Sequence, residues 1–554
     1  MILNIDKVPG LNALYKDYIE NFDSVKSFYQ YGYQTSEDFL KCVEDKKQSY
    51  PSGKVNRAEL SNILIRQNKF FNSAEKTYEN LESLKDENTF AIVTGQQVGI
   101  LSGPLYTIYK ALNTIQLAEK LNSEFKEYKF VPVFWLEADD HDFLEINNIN
   151  ILNKENELVN LRYFEGGVEQ ERYLKPATSV LVDDNFENLI KELEENLHHT
   201  DFSDAIFDYI RRSYRVGIDL KTAFARFLNY LFENSGLIFF DPTDPEIKRF
   251  LIPVIEKELN TFPKVCEIVI DASAQLEHNY EPQIKPKAIN LFYNHNENRY
   301  LIEPRDDNSF GLKNSRQKFE KSEMIDSLNL NYQNFSSNVI TRPIFQDFIL
   351  PTIAYIGGPS EISYFAQLKN VYEYFNVRMP IIYPRTSVTL MESKSMQFFK
   401  KYDIMLEEMF NQEAVNEKLL GKTSEINLEE LFNEYIDEMN SLNYSFEKEL
   451  VKVDKNLVNN FKNRNQKNFE TLQMLKQKFI DSQINQNEGV FAKMKSIYNN
   501  IYPESKLQER ILNVSYFLNK YGIDLMKMLK TNINISEFNH QLIELNVKEQ
   551  KDLF

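Results

Sequence analysis

Six side chains able to donate, accept or hold protons end the apolar run VPVFWLEADDHDFLEIN, Val131 to Asn147: Glu137, Asp139, Asp140, His141, Asp142 and Glu145. Carboxylates on both sides of one imidazole favour its protonated form, which suits general acid/base chemistry or the orientation of an amine. His141 with Asp140 and Asp142 is therefore the candidate catalytic group. The alternative is a solvated acidic turn, with Asp142 capping a helix and Glu145 as its capping-box partner. A single histidine argues against zinc, and carboxylates favour Mg²⁺ where a metal takes part. No residue is assigned as a metal ligand.

Two further stretches could hold a ligand. In TGQQVGILSGPLYTIYKAL, Thr94 to Leu112, Gly95, Gly99 and Gly103 allow close backbone approach, Gln96 and Gln97 add amides, and Lys110 lies farther along. Their spacing is neither GxGxxG nor GxxxxGK[ST], so a plain strand-to-helix turn is the other reading. In TRPIFQDFILPTIAYIGGPSEISYFAQLK, Thr341 to Lys369, Arg342 and Gln346 stand in an apolar segment, and Gly357, Gly358 and Glu361 form a second glycine turn. Arg342 is suited to grip a carboxylate or phosphate, or else to pair with Asp347. Arg385 follows the apolar run IIYP at another expected sheet edge. The remaining histidines (198, 199, 278, 295 and 540) stand in polar or charged surroundings and read as surface residues.

These groups need a scaffold, and its elements are legible. FAIV (Phe90 to Val93), a helix over about 104–121 and the strand KFVPVFWL alternate as in a parallel α/β sheet. GLIFF ending at Asp241, with Pro245 opening a helix, continues the pattern, as does an α/β passage from Ala288 to the strand RMPIIYP. In an open sheet of this kind ligands bind beyond the carboxyl ends of the strands, where all three clusters fall. The core is assigned to 1–149 and 231–390, with 150–230 as an inserted subdomain. From Arg385 to Tyr502 there is no proline, and from Lys422 to Glu488 no glycine. Met439, Leu442, Phe446, Leu450, Val453, Leu457 and Phe461 form an apolar stripe with an eleven-residue period on one long helix. Residues 391–500 are thus a helical coiled-coil arm, serving as a hairpin packed on itself, as a dimerisation arm, or as both. Residues 501–554 return to the core as helix.

The 554 residues carry 64 basic and 82 acidic side chains, a formal charge of -18, which argues against nucleic acid and anionic membranes as partners. Cys42 and Cys266 are the only cysteines, which excludes a disulfide framework. No apolar run reaches the ~20 residues of a membrane span, and the first residues lack a signal-peptide pattern, so a cytoplasmic location is expected.

Taken in order, TGQQVGILSGPLYTIYKA, VPVFWLEADDHDFLEIN, GLIFFDPTDPE, RPIFQDFILPTIAYIGGPSEISYFAQL, MPIIYPR and LQERILNVSYFLNKYG resemble the bacillithiol biosynthesis cysteine-adding enzyme (BshC) family over most of the chain. Ser360 and Phe365 stand where that family often has Gly and Trp. The resemblance implies a Rossmann-like core with connecting-peptide insertions and a coiled coil that pairs two subunits as a homodimer. It implies a ligase that joins cysteine to glucosaminyl-malate, and ATP or another nucleotide would supply the activation that amide formation needs. Thr94, Gly95, Gln96, Gln97, Gly99, Gly103, Gly357, Gly358 and Glu361 would cradle ligand, and Arg342, Gln346 and Arg385 would hold carboxylates. Gln508, Glu509, Arg510 and Asn513 would form a second ligand surface. The alternatives are another nucleotide-dependent ligase or transferase on the same core, and a non-enzymatic dimeric scaffold.

Overall fold

The structure, a computed structural model, describes residues 1–50, 55–139, 143–164, 166, 176–307, 309–424 and 428–545. The expected catalytic residues Asp140, His141 and Asp142 lie outside the described residues. The chain divides into two compact units, one built mainly of Met1–Thr389 and Lys506–Ile543, the other of Leu390–Ser505.

The centre of the first unit is a five-stranded sheet: β1 (Thr89–Gln97), β2 (Lys129–Glu137), β3 (Ile238–Phe240), β4 (Thr352–Gly357) and β5 (Ile381–Pro384). The order is β5-β4-β1-β2-β3, with every pairing parallel. Strands buried on both faces read as continuous apolar runs, and Phe90, Ile92, Val131, Val133, Ile238, Ile353 and Ile381 are all sealed from water. The chain builds outward from β1 through β2 to β3, then returns to lay β4 on β1's other side. The switch point of the topology therefore falls between β1 and β4, and a crevice opens beyond their carboxyl ends.

β1 runs four residues past the expected FAIV. Gly95, Gln96 and Gln97 belong to the strand, in register with Trp135, Leu136 and Glu137. A Cβ on Gly95 would stand 3.3 Å from both the Cβ and the carbonyl oxygen of Trp135, so glycine lets the two strands run together beside the indole. Trp135 stacks on Phe240 of β3, centroids 4.6 Å apart and planes at 8°.

The passage expected as α/β from Ala288 divides in two. Leu291–His295, Asn298–Pro304, Phe310–Leu312, Lys318–Phe319 and Phe335–Ser337 first form a separate antiparallel sheet. Only then does α2 (Thr341–Ile349) lead back to β4. Between β2 and β3 lie the Asn148–Leu152/Leu158–Arg162 hairpin and three amphipathic helices, Phe186–Asn196, Ser203–Ser213 and Leu220–Leu231.

His540 corrects the surface reading. It is fully buried and pairs with Leu3, with Ser387 Oγ 2.8 Å from Nδ1 and Thr389 Oγ1 2.9 Å from Nε2. Burial lowers its pKa to about 4.

In the second unit the expected single long helix is two. Leu428–Val453 ends, and Val458–Gln486 runs back antiparallel to it. Phe446 meets Phe461 at 5.5 Å and Phe432 meets Phe479 at 6.0 Å, while Lys462–Glu447 and Lys476–Glu429 bridge the pair. The stripe is thus shared between two helices. Leu442, Val453 and Leu457 stay exposed.

Candidate active site

Beyond the ends of β1 and β4 lies a cleft of about 930 Å³, large enough for a sizeable small molecule. Gly95, Gln96 and Gln97 of β1 line it, as do Trp135 and Glu137 of β2 and the Gly358-Pro359-Ser360-Glu361 turn that opens α3 (Pro359–Phe365). Its cations are Lys110, Lys285, Lys287, Arg299, Lys313, Arg342, Arg385 and Arg510, against the carboxylates Glu137, Glu145 and Glu361. A chain of net charge -18 has gathered positive charge in one concavity, which focuses its field on an anion.

These cations are held in different ways. Lys110 comes from α1 (Tyr106–Glu124) and is buried. Its Nζ donates to the Gly95 carbonyl at 3.0 Å and to Gln96 Oε1 at 3.1 Å, and meets Glu361 at 2.5 Å. Glu361 also accepts from Tyr355 OH at 2.6 Å and from the Gly358 amide at 2.8 Å. Burial opposes ionisation of Glu361, but the Lys110 charge and these donors outweigh it and hold its pKa below the usual carboxylate value. The Gly358 turn is therefore organised by Glu361, whose side chain fastens the turn to β1 and α1.

Arg385 is closed more completely. Nη1 and Nη2 donate to the two Glu509 oxygens at 2.9 and 2.6 Å, with the two side chains only 3% and 2% exposed. Glu509 further accepts from the Val388 amide at 2.9 Å. Such a pair costs desolvation to form and costs more to break from one side.

Arg342 differs from both. Nη1 donates to Gln346 Oε1 at 3.1 Å, and Nη2 to Tyr364 OH at 2.9 Å and Tyr355 OH at 3.4 Å. Every one of these acceptors is neutral. The alternative pairing with Asp347 is not made; that carboxylate accepts from Tyr372 OH at 2.5 Å and Gln346 Nε2 at 2.9 Å. Half-buried, oriented by three neutral oxygens and facing the cleft, Arg342 presents a fork to an incoming anion.

Not all expected ligand residues reach the cleft. Thr94 is buried and donates to the Ile356 carbonyl at 3.0 Å. Gly99 and Gly103 lie back from it; Gly103 has φ +66, and Asn513 Nδ2 donates to the carbonyls of Leu101 at 2.8 Å and Gly103 at 2.6 Å. That turn is held by structure. Gln346 sits behind Arg342, Gly357 ends β4, and Gln508 and Glu509 are buried. Of the C-terminal four only Arg510 lines the cleft. Sequence reasoning missed Tyr106, Tyr355, Tyr364, Lys285, Lys287, Arg299 and Lys313, all lining residues. The one local signal was Lys-Pro-Lys at 285–287, an extended segment with two cations on the same side. Among the described residues no group of three His, Cys, Asp or Glu side chains is placed to hold a metal ion. Among them, too, no helix is long and apolar enough to cross a membrane.

A parallel α/β core with a cationic small-molecule cleft at its switch point, joined to a helical hairpin unit, defines a Rossmann-like ligand-binding protein of two parts. Known proteins share both parts. The chain belongs to the bacillithiol biosynthesis BshC family: the family's N-terminal Rossmann-like domain matches residues 2–386 and its C-terminal coiled-coil domain residues 388–545. It is 35% identical to a protein of Chloroherpeton thalassium named "Putative cysteine ligase BshC", with 96% of each chain covered. Similar proteins of the same name occur in Salinibacter ruber, at 32% with 96% of each covered, and Flavobacterium johnsoniae, at 30% with 96% of this chain and 97% of the relative covered.

Proposed function

We propose that this chain is a cytoplasmic ligase that joins the carboxyl group of cysteine to the amine of glucosaminyl-malate, forming the amide that completes bacillithiol. Support comes from the family and from the names of its relatives. The observation that carries the reading at the level of residues is Arg342, a cleft-facing guanidinium whose direct partners are all neutral. Its planar fork suits a carboxylate, and malate offers two.

Amide formation from a free carboxylate needs a leaving group, and ATP or another nucleotide would supply it. The attacking amine then forms the C–N bond and gives up a proton as the leaving group departs. Arg342 would hold a malyl carboxylate, and Lys110 and Glu361 would fix the Gly358 turn beside it. His141, flanked by Asp140 and Asp142, is the proposed proton acceptor on the strength of its sequence position at the end of β2. A helical hairpin with exposed Leu442 and Leu457 gives the proposed homodimer its surface. The scaffold alternative leaves the cationic cleft without a purpose.

The test is made in a bacillithiol-producing bacterium whose own copy is deleted, by mass spectrometry of glucosaminyl-malate and bacillithiol. The wild-type chain should restore bacillithiol. Arg342→Ala, removing a charged hydrogen-bonding group, should restore it about tenfold less or worse while glucosaminyl-malate accumulates. Equal restoration by wild type and variant would remove Arg342 from the site, and failure of the wild type would remove the assigned reaction.

A further inference from the structure

The cleft carries a second set of cations that the malyl-binding assignment does not use. Lys285 and Lys287 stand in the segment without helix or strand that precedes the antiparallel sheet, and Lys313 follows the Phe310–Leu312 strand; all three line the same cleft as Arg342. Pro286 between them fixes its own φ and disfavours the helical conformation at Lys285. Both side chains thus reach the one cleft from a proline-stiffened stretch of backbone.

Their charge is not spent within the protein. Among the described residues neither Lys285 nor Lys287 makes an ion pair, and the contact of Lys313 with Glu303 is 4.0 Å between two half-exposed side chains. A pair of that kind is worth little in water. Lys110 and Arg385, by contrast, are each closed by a buried or half-buried carboxylate. Compact ammonium groups on flexible stems suit a chain of tetrahedral anions, with charge spread over several centres, better than one planar carboxylate. The cleft thus has two kinds of anion handle, a guanidinium fixed by neutral oxygens and ammonium groups that, among the described residues, no close carboxylate holds.

We infer that Lys285, Lys287 and Lys313 form a subsite for the polyphosphate tail of a nucleoside triphosphate. This rests on the ligase reading only in taking the cleft as the reaction site, and makes no use of cysteine or the amide.

Titration calorimetry of the full-length protein with ATP, AMP, sodium tripolyphosphate and L-malate tests it. Wild type should bind ATP more tightly than tripolyphosphate, and at least about tenfold more tightly than AMP. Lys285→Glu/Lys287→Glu should weaken ATP and tripolyphosphate by about thirtyfold or more and leave L-malate unchanged. The salt dependence of ATP binding should flatten in the variant. Unchanged ATP affinity in the folded variant, or no preference for ATP over AMP in wild type, would overturn the subsite. Tripolyphosphate binding as tightly as ATP would overturn its assignment to a nucleoside. An equal loss of L-malate would also count against it, as a general field effect. If ATP binding follows the lysines but the wild-type chain fails to restore bacillithiol, the ligase reading falls and the subsite stands. The reverse pair of results removes the subsite alone.

Discussion

Arg385 and Lys285 line one cleft and carry the same charge, yet the protein treats them in opposite ways. Arg385 is 3% exposed and gives two donors to a carboxylate that is itself 2% exposed. Lys285 and Lys287 are exposed and make no ion pair among the described residues, on a proline-stiffened stretch of chain. Arg342 lies between these extremes, half-buried but held by neutral oxygens alone. The difference separates the work of a charge from its presence. A cation already matched by a buried carboxylate holds the fold together, whereas one held only by neutral oxygens or facing water keeps its field directed into the cleft.

The largest test of this contrast is Glu509→Ala. It strands the Arg385 guanidinium in the interior, and breaking a buried pair from one side costs about 3–5 kcal/mol. Chemical denaturation should show a correspondingly lower midpoint; a loss below about 1 kcal/mol would mean that the pair is no structural link.

His540, also buried in the first unit, gives a test of similar kind through pH. Its pKa is lowered from 6.5 to about 4, chiefly by burial, with the Glu509 charge opposing that shift. The unfolded imidazole takes its proton first as pH falls, so stability declines from about pH 6.5 towards about pH 4, by a total of about 3 kcal/mol. Glu509, whose pKa is lowered from 4.5 because Arg385 outweighs its burial, loses its contribution only as pH falls below about 4.5. Denaturation between pH 6.5 and 4.5 should therefore fall more steeply for wild type than for His540→Gln. Parallel curves would place the acid sensitivity elsewhere.

The smallest expected effect sharpens the other side of the comparison. Lys285→Ala/Lys287→Ala should change stability by less than about 0.5 kcal/mol, the usual range for surface substitutions. A larger loss, read from the same denaturation curves, would make those lysines structural.

Much of the parallel core was legible because strands buried on both faces leave unbroken apolar runs such as FVPVFWL and GLIFF. The end of β1 was not. Gly-Gln-Gln carries turn chemistry, and it stays in the strand because Gly95 makes room for Trp135, forty residues away. The hairpin turn in the second unit hid for the converse reason. Its residues Asp454 to Leu457 contain neither glycine nor proline, so Phe446 and Phe461 read as one face of one helix. His540 stands among polar neighbours and is buried by hydroxyls of Ser387 and Thr389, more than 150 residues earlier. In the candidate site, Arg342, Gly358 and Glu361 could be read from local motif. Lys285 left only the Lys-Pro-Lys signal and Lys313 none, since the folding of the antiparallel sheet is what brings Lys313 to the cleft.

The tie between Arg385 and Glu509 also has a history within each molecule. The ribosome makes Arg385 124 residues before its partner, an interval of roughly 6–25 s at ordinary rates of synthesis. By then all five parallel strands have been made, but the guanidinium that must be buried beside β5 has no carboxylate to meet it. The nascent sheet cannot close over that charge without a heavy penalty, so the interior beside β5 seals only when the Gln508–Ile511 helix arrives. Until that moment the finished strands carry a cation whose matching carboxylate has still to be made.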